Sequence, residues 1–225
     1  MTKEDIIRFL DYIGSEYSKV ILSSNYCQFG EDISWGHYNK GIYNRILYSK
    51  EYETLLNERQ YSFLLKDKSF IQFYYKFDDK ELIKARLCYY PYPLNNKEDD
   101  VDLSEYLEES GSEALDVYYY GFIELIEHGI ISTNSSHIRF DYDSGVKTHC
   151  KSHIQYSGLN TVRIPMNHVI NPLIFFDFII TNTSLNAEVQ QVRDKRSYST
   201  NLRQAEKNIL HISSEKGLHL NYINL

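Results

Sequence analysis

The sequence predicts an α+β fold: an antiparallel or mixed sheet with a central polar-faced hairpin, packed by N-terminal and C-terminal helices. Three observations predict it. Apolar residues recur at helical spacing at both ends of the chain, alternation with period two marks its middle, and Asp143-Ser144-Gly145 supplies a hairpin turn.

The first element is a helix. Thr2 can cap it with Asp5 at the third helical position, and Ile6, Leu10, Ile13 and Tyr17 form its apolar stripe. A second helical segment is expected from Ser49 to Arg59. At Tyr61 the period changes. Ile71, Phe73, Tyr75 and Phe77 alternate with Gln72, Tyr74 and Lys76, the pattern of a half-buried strand. Asp78-Asp79-Lys80 turns the chain into a return strand over Ile83 to Tyr90. There Lys84 and Arg86 share one face and Ala85, Leu87 and Tyr89 the other.

The acidic run from Lys97 to Glu113 reads as a solvated loop. Residues 117–127 read as a strand in their aromatic half. Asn171-Pro172 starts a helix that is apolar nearly all round, hence buried. A last helix, Ala187 to Leu210, places Arg196, Arg203 and Lys207 on one face, and the tail ends in a short strand. The chain is therefore expected to be one domain, 1–225: a helical N-terminal part (1–60), a sheet core (61–165, with the acidic loop 95–116) and a helical C-terminal part (170–210).

Composition narrows the function classes. The net charge of −7 argues against indiscriminate nucleic-acid binding, which needs a basic surface. The 21 tyrosines suit half-buried sheet faces and partner interfaces. Cys27, Cys88 and Cys150 are odd in number and widely spaced, and the opening residues lack a signal-peptide pattern. A cytoplasmic protein without a disulfide-linked partner is the expectation. The apolar run Ile170 to Ile180 is too short to span a bilayer and contains Asp177, so no membrane association is expected.

The central hairpin carries the chemistry. A three-residue loop, with Gly145 in the left-handed position, would pair Tyr142 with Val146. The opposed pairs would then be Asp141 with Lys147, Arg139 with His149, and His137 with Lys151. One face would collect His137, Arg139, Asp141, Lys147, His149, Lys151 and His153. Four residues along a strand span about 13 Å, so His149 and His153 could share a metal only where the strand bends. No metal and no cofactor is expected. Arg139 offers a planar fork to a phosphate, Lys151 adds a point charge, and His149 and His153 can exchange protons near neutral pH with Asp141 orienting them. His137 and Arg163 are further ligand-binding candidates, and Lys84 and Arg86 join them if their strand neighbours the hairpin. The wet face of an ordinary antiparallel sheet shows the same alternation. His37, His128, His211 and His219 stand alone and are expected to be structural or exposed.

Three groups of residues together resemble a known family: Gln72-Phe73-Tyr74-Tyr75 with Ala85 to Pro93; Ile138 to Tyr142; and His149, His153, Arg163-Ile164-Pro165 and the Asn171-Pro172 helix start. In this order they are similar to an uncharacterised bacterial domain-of-unknown-function family, number twenty-two ninety, over roughly residues 60–185. The family pattern has a Pro after the first His and a further His two residues beyond the second, where this chain has Cys150 and Gln155. The resemblance brings no established activity. A looser similarity links the Arg/Asp strand and the His-rich strand to small bacterial toxins of toxin–antitoxin pairs.

The functional expectation is a bacterial effector or accessory protein of an antiphage defence or toxin–antitoxin module. It would bind a phosphate-bearing ligand, RNA or a nucleotide, and cleave it without metal. The alternative is a non-catalytic subunit docking on a larger ATPase or nuclease partner through its Tyr-rich strands and basic C-terminal stripe.

Overall fold

A computed structural model describes residues 1–39, 48–96, 130–132, 134, 136–156 and 162–212. The acidic run, the strand expected at 117–127, His128, His219 and the tail beyond residue 212 lie outside the described residues.

Helix α1 (Lys3–Glu16) begins at the expected capping box, with the Thr2 hydroxyl and the Asp5 carboxylate each accepting the other residue's backbone N–H. Its stripe of Ile6, Phe9, Leu10 and Ile13 is fully buried. Three short strands follow, β1 (Ile21–Ser24), β2 (Tyr26–Phe29) and β3 (Asp32–Trp35), within the part read as helical. They are too short to declare themselves by alternation. Their clearest signal is Gly30, at φ +57° in the two-residue turn between Phe29 and Asp32, a conformation that costs glycine nothing.

Helix α2 (Tyr48–Asn57) leads into β4 (Phe63–Leu65), β5 (Phe70–Asp78) and β6 (Glu81–Tyr90). Short strands β7 (Leu94–Asn96) and β8 (Ile130–Ser132) pair with each other. The hairpin strands are β9 (Ile138–Asp143) and β10 (Ser152–Tyr156), with β11 (Ile164–Pro165) on the edge. The main sheet runs β1-β4-β5-β6-β9-β10-β11, with β3 also on β5 and β2 on β3, and every pairing is antiparallel. Strands β12 (His168–Val169) and β13 (Leu210–His211) form a separate pair.

One sheet face carries Ile71, Phe73, Tyr75, Phe77, Ala85, Leu87, Tyr89 and Phe140, and packs on α1 and α3 (Pro172–Thr181). Asn171 caps α3 as expected: its Oδ1 accepts from Ile174 N at 3.1 Å and its amide donates to the Ala205 carbonyl at 2.7 Å. The expected final helix is divided. A 3₁₀ turn (Ser184–Val189) and α4 (Gln190–Arg193) bury Leu185, Val189 and Val192, whereas α5 (Arg196–Lys207) buries Ala205. Arg193 folds back onto Asn186, Thr181 and Asp177, and the chain turns at Asp194 and Lys195. Arg196, Arg203 and Lys207 are all exposed, as solvated helix positions.

The opposite face is divided in two. Helix α2 covers one end of this face, where Tyr52, Tyr61, Phe70, Cys88 and Tyr90 form a second, smaller core. The other end is polar and has no helix over it among the described residues.

Candidate functional site

Three rungs of opposed residues cross the polar end. The first runs Gln72, Cys88, Arg139, Gln155, and the second Tyr74, Arg86, Asp141, His153. The third runs Lys76, Lys84, Asp143, whose backbone N–H bonds to the Lys151 carbonyl at 2.9 Å. Side chains of one rung point the same way because opposed residues in a ladder share a face. Alternation along four strands thus builds one continuous polar patch.

The hairpin register differs from the expected one. Asp143 to Val146 does form a turn, in which the Asp143 carboxylate accepts from Gly145 N at 2.9 Å. Gly145 is not in the left-handed region, and the ladder resumes only at Ser152, opposite Tyr142. The opposed pairs are therefore Asp141 with His153 and Arg139 with Gln155, not Asp141 with Lys147, Arg139 with His149, or His137 with Lys151. The slip is six residues. Because it is even, every residue that enters the ladder keeps its face. The Asp143 side chain satisfies the turn locally, so a tight loop has no need of glycine's special conformation.

Asp141 is the hub. Its Oδ1 accepts from Arg86 Nε at 2.9 Å and its Oδ2 from Arg139 Nε at 2.6 Å, and His153 Nε2 lies 3.9 Å from Oδ2. Burial alone would raise this carboxyl, but Arg139 and Arg86 outweigh it and hold it below the usual carboxylate range. Arg139 also donates to the Gln155 Oε1. Lys84 pairs with Asp143 at 2.8 Å. Arg163 brings a third guanidinium from the chain just before β11, and its buried Nε has no hydrogen-bond partner among the described residues.

These groups line an open cleft of ≈ 780 Å³. Five cations (Lys76, Lys84, Arg86, Arg139 and Arg163) face two carboxylates (Asp141 and Asp143), beside His149, His153 and Gln155. Tyr74 and Tyr38 close one side, stacked with ring centres 5.0 Å apart and planes 11° from parallel.

His149 is exposed on the bend before β10, not on the strand, and its ring centre lies 5.1 Å from that of His153. Its Nδ1 bonds to the Cys150 carbonyl at 2.9 Å, which requires the proton on Nδ1, so in the neutral ring the lone pair is on Nε2. His153 is 4% exposed. Burial lowers it below the ordinary imidazole range, Asp141 opposes this, and His149 and Arg163 add to it.

Of the residues expected at the site, Arg139, Asp141, His149, His153, Arg163, Arg86 and Lys84 therefore share the cleft. Lys151, half-buried in the loop, and His137 are not among its lining residues. His137 is buried at the α2 end of the same face, its ring 4.8 Å from Tyr90 and its Nδ1 3.7 Å from the Glu51 carboxylate. His37 and His211 are exposed. Lys76, Tyr74, Tyr38, Asp143 and Gln155 were not singled out as site residues. The first two were visible as polar positions in the alternating strand β5, whereas Tyr38 reaches the cleft from a loop and leaves no periodic signal.

The chain belongs to the family described as an uncharacterized conserved protein (DUF2290), whose model matches residues 17–222. Comparison with curated proteins and with solved structures gives no match. Among the described residues, no helix is long and apolar enough to cross a membrane, and no disulfide joins Cys27, Cys88 and Cys150.

Proposed function

Starting from that membership, we propose that the polar cleft binds a phosphate-bearing ligand, RNA in the first place, and that His149 and His153 exchange protons to cleave it without a metal. One observation carries the reading: a protein of net charge −7 gathers five cations against two carboxylates in one cleft. Such local concentration of one sign is what phosphate recognition needs, whatever the total charge.

The roles follow from geometry. Asp141 spreads its charge over two guanidiniums and holds Arg86 and Arg139 by their Nε atoms, one on each carboxylate oxygen. Arg86 and Arg139 are both paired with Asp141, whereas Arg163 forms no ion pair among the described residues, so its guanidinium charge is the one left for a phosphate oxygen. Nε2 of His149 takes the proton of a ribose 2′-hydroxyl, whose oxygen then bonds phosphorus. The bond from phosphorus to the 5′-oxygen breaks, leaving a cyclic phosphate, and the imidazole pair returns a proton to the departing oxygen. The guanidiniums offset the extra negative charge of the transition state. The stacked Tyr38 and Tyr74 lie where an unpaired base would meet an aromatic surface. Such an activity suits an effector or accessory of a defence or toxin–antitoxin module.

The test is incubation of the purified protein with an unstructured RNA in excess chelator. Cyclic-phosphate products are expected, reduced at least about a hundredfold in His149→Ala, the usual scale for losing a general base, and also reduced in Arg139→Ala. Intact RNA, or cleavage by both variants undiminished from the parent, ends the enzyme reading. Toxicity on expression, abolished by the same substitutions, is the cellular counterpart.

A further inference from the structure

The geometry points to a transition-metal site, for Zn2+ in the first place, made by His149, Cys150 and His153 at the mouth of the cleft. One ring nitrogen of each imidazole and the Cys150 Sγ lie within 4.8 Å of one another, close enough for a single ion to draw all three into its coordination sphere. A regular strand forbids this, since it would hold the two histidines about 13 Å apart. The bend over residues 147–151 removes that obstacle by taking His149 off the strand.

Two further observations are those of ligand imidazoles. The Nδ1 of His149 is engaged by the Cys150 carbonyl, and donation of the other ring N–H to a backbone carbonyl is the usual outer contact of a metal-bound histidine. His153 is buried, its Nε2 faces the Asp141 carboxylate at 3.9 Å, and its Nδ1 makes no hydrogen bond of good geometry among the described residues, although the Cys150 backbone acts on the ring. A buried ring nitrogen without a partner is costly unless something binds it. The carboxylate–histidine approach is likewise the common way of orienting a metal ligand.

Charge permits a cation here despite the cleft's positive balance. Asp141 lies beside His153 and Asp143 interacts electrostatically with His149, so carboxylates flank both imidazoles, while Arg163 acts on His153 in the opposite sense. On binding, the Cys150 thiol releases its proton to solvent and the thiolate cancels one charge of the ion. Two nitrogens and one thiolate favour zinc over hard cations such as Mg2+. Three protein ligands leave the fourth position for a water or a phosphate oxygen.

The inference stands apart from the proposed cleavage, and constrains it. The same lone pairs cannot hold a metal and accept a proton, so Zn2+ would suppress metal-free cleavage.

The test is titration of the reduced, full-length protein with Co2+, followed by absorption. Tetrahedral cobalt bands with thiolate-to-metal charge transfer should saturate at one equivalent and disappear when Zn2+ is added. Cys150→Ser should lose the charge-transfer band, and His149→Ala should weaken Co2+ binding at least about tenfold. Both positions lie on the bend outside the main core, and unchanged thermal unfolding would verify that the variants fold. Absence of the bands, or either variant behaving as the parent, overturns the site. If the bands appear as expected while no RNA is cleaved in chelator, the metal site stands and the acid–base reading alone falls.

Discussion

The Nε of Arg86 lies 2.9 Å from Oδ1 of Asp141, joining two neighbouring strands across 55 residues of sequence. Arg139 holds the other oxygen of the same carboxylate. The polar face is thereby a connected network in which removing one member leaves charges without partners.

Asp141→Ala should therefore destabilise the fold by about 2–4 kcal/mol, because two guanidiniums lose their common counter-charge in a half-buried setting. Arg86 is partly exposed, which tempers the loss. Urea denaturation measures it as a lower midpoint. Equal midpoints would mean that the network contributes nothing to stability.

Acid should weaken the fold through His137. Burial lowers this imidazole to about 4 and Arg139 adds to the shift, while Asp141 opposes it. In the unfolded chain it titrates near its ordinary 6.5. Between those values the unfolded state binds more protons, so stability falls as pH drops from about 6.5 to about 4 and this contribution then levels off. The loss is about 3 kcal/mol over that window. Glu51, raised by burial, acts with the opposite sign, so the readout is a comparison. The parent should lose more stability across the window than His137→Gln. Parallel curves would remove His137 from the account.

Asn171→Ala should cost about 1–2 kcal/mol, since it removes the cap of α3 and one of the two donors to the Ala205 carbonyl, which still accepts the Asn208 backbone N–H at 3.1 Å. The melting temperature should fall by several degrees, with the α5 amides exchanging faster. A change within error would show that water replaces the asparagine.

Much of this was legible in the sequence, for reasons tied to particular residues. The alternation over Phe70 to Tyr90 showed which face Arg86 occupies, because a strand's period of two leaves no freedom. Asn171-Pro172 declared its helix through capping chemistry. Faces in the hairpin were also readable, but its register was not. Charges at 137, 139, 141, 147, 149, 151 and 153 satisfy any even slip equally, and the side chain of Asp143 makes a turn that the glycine pattern misrepresents. The His149–His153 contact depends on that slip and on the bend, so it required coordinates. Arg163 reaches the cleft from an edge segment whose position no local pattern encodes.

Binding of a short fluorescent, unstructured RNA, followed by anisotropy over a range of salt concentrations, tests the central claim most directly. The cleft account predicts measurable affinity at low salt that falls steeply as salt rises. Arg163→Ala should bind more weakly and show a salt slope shallower by about one contact's share. An absence of binding at low salt, or identical affinity and slope in the parent and Arg163→Ala, would contradict it.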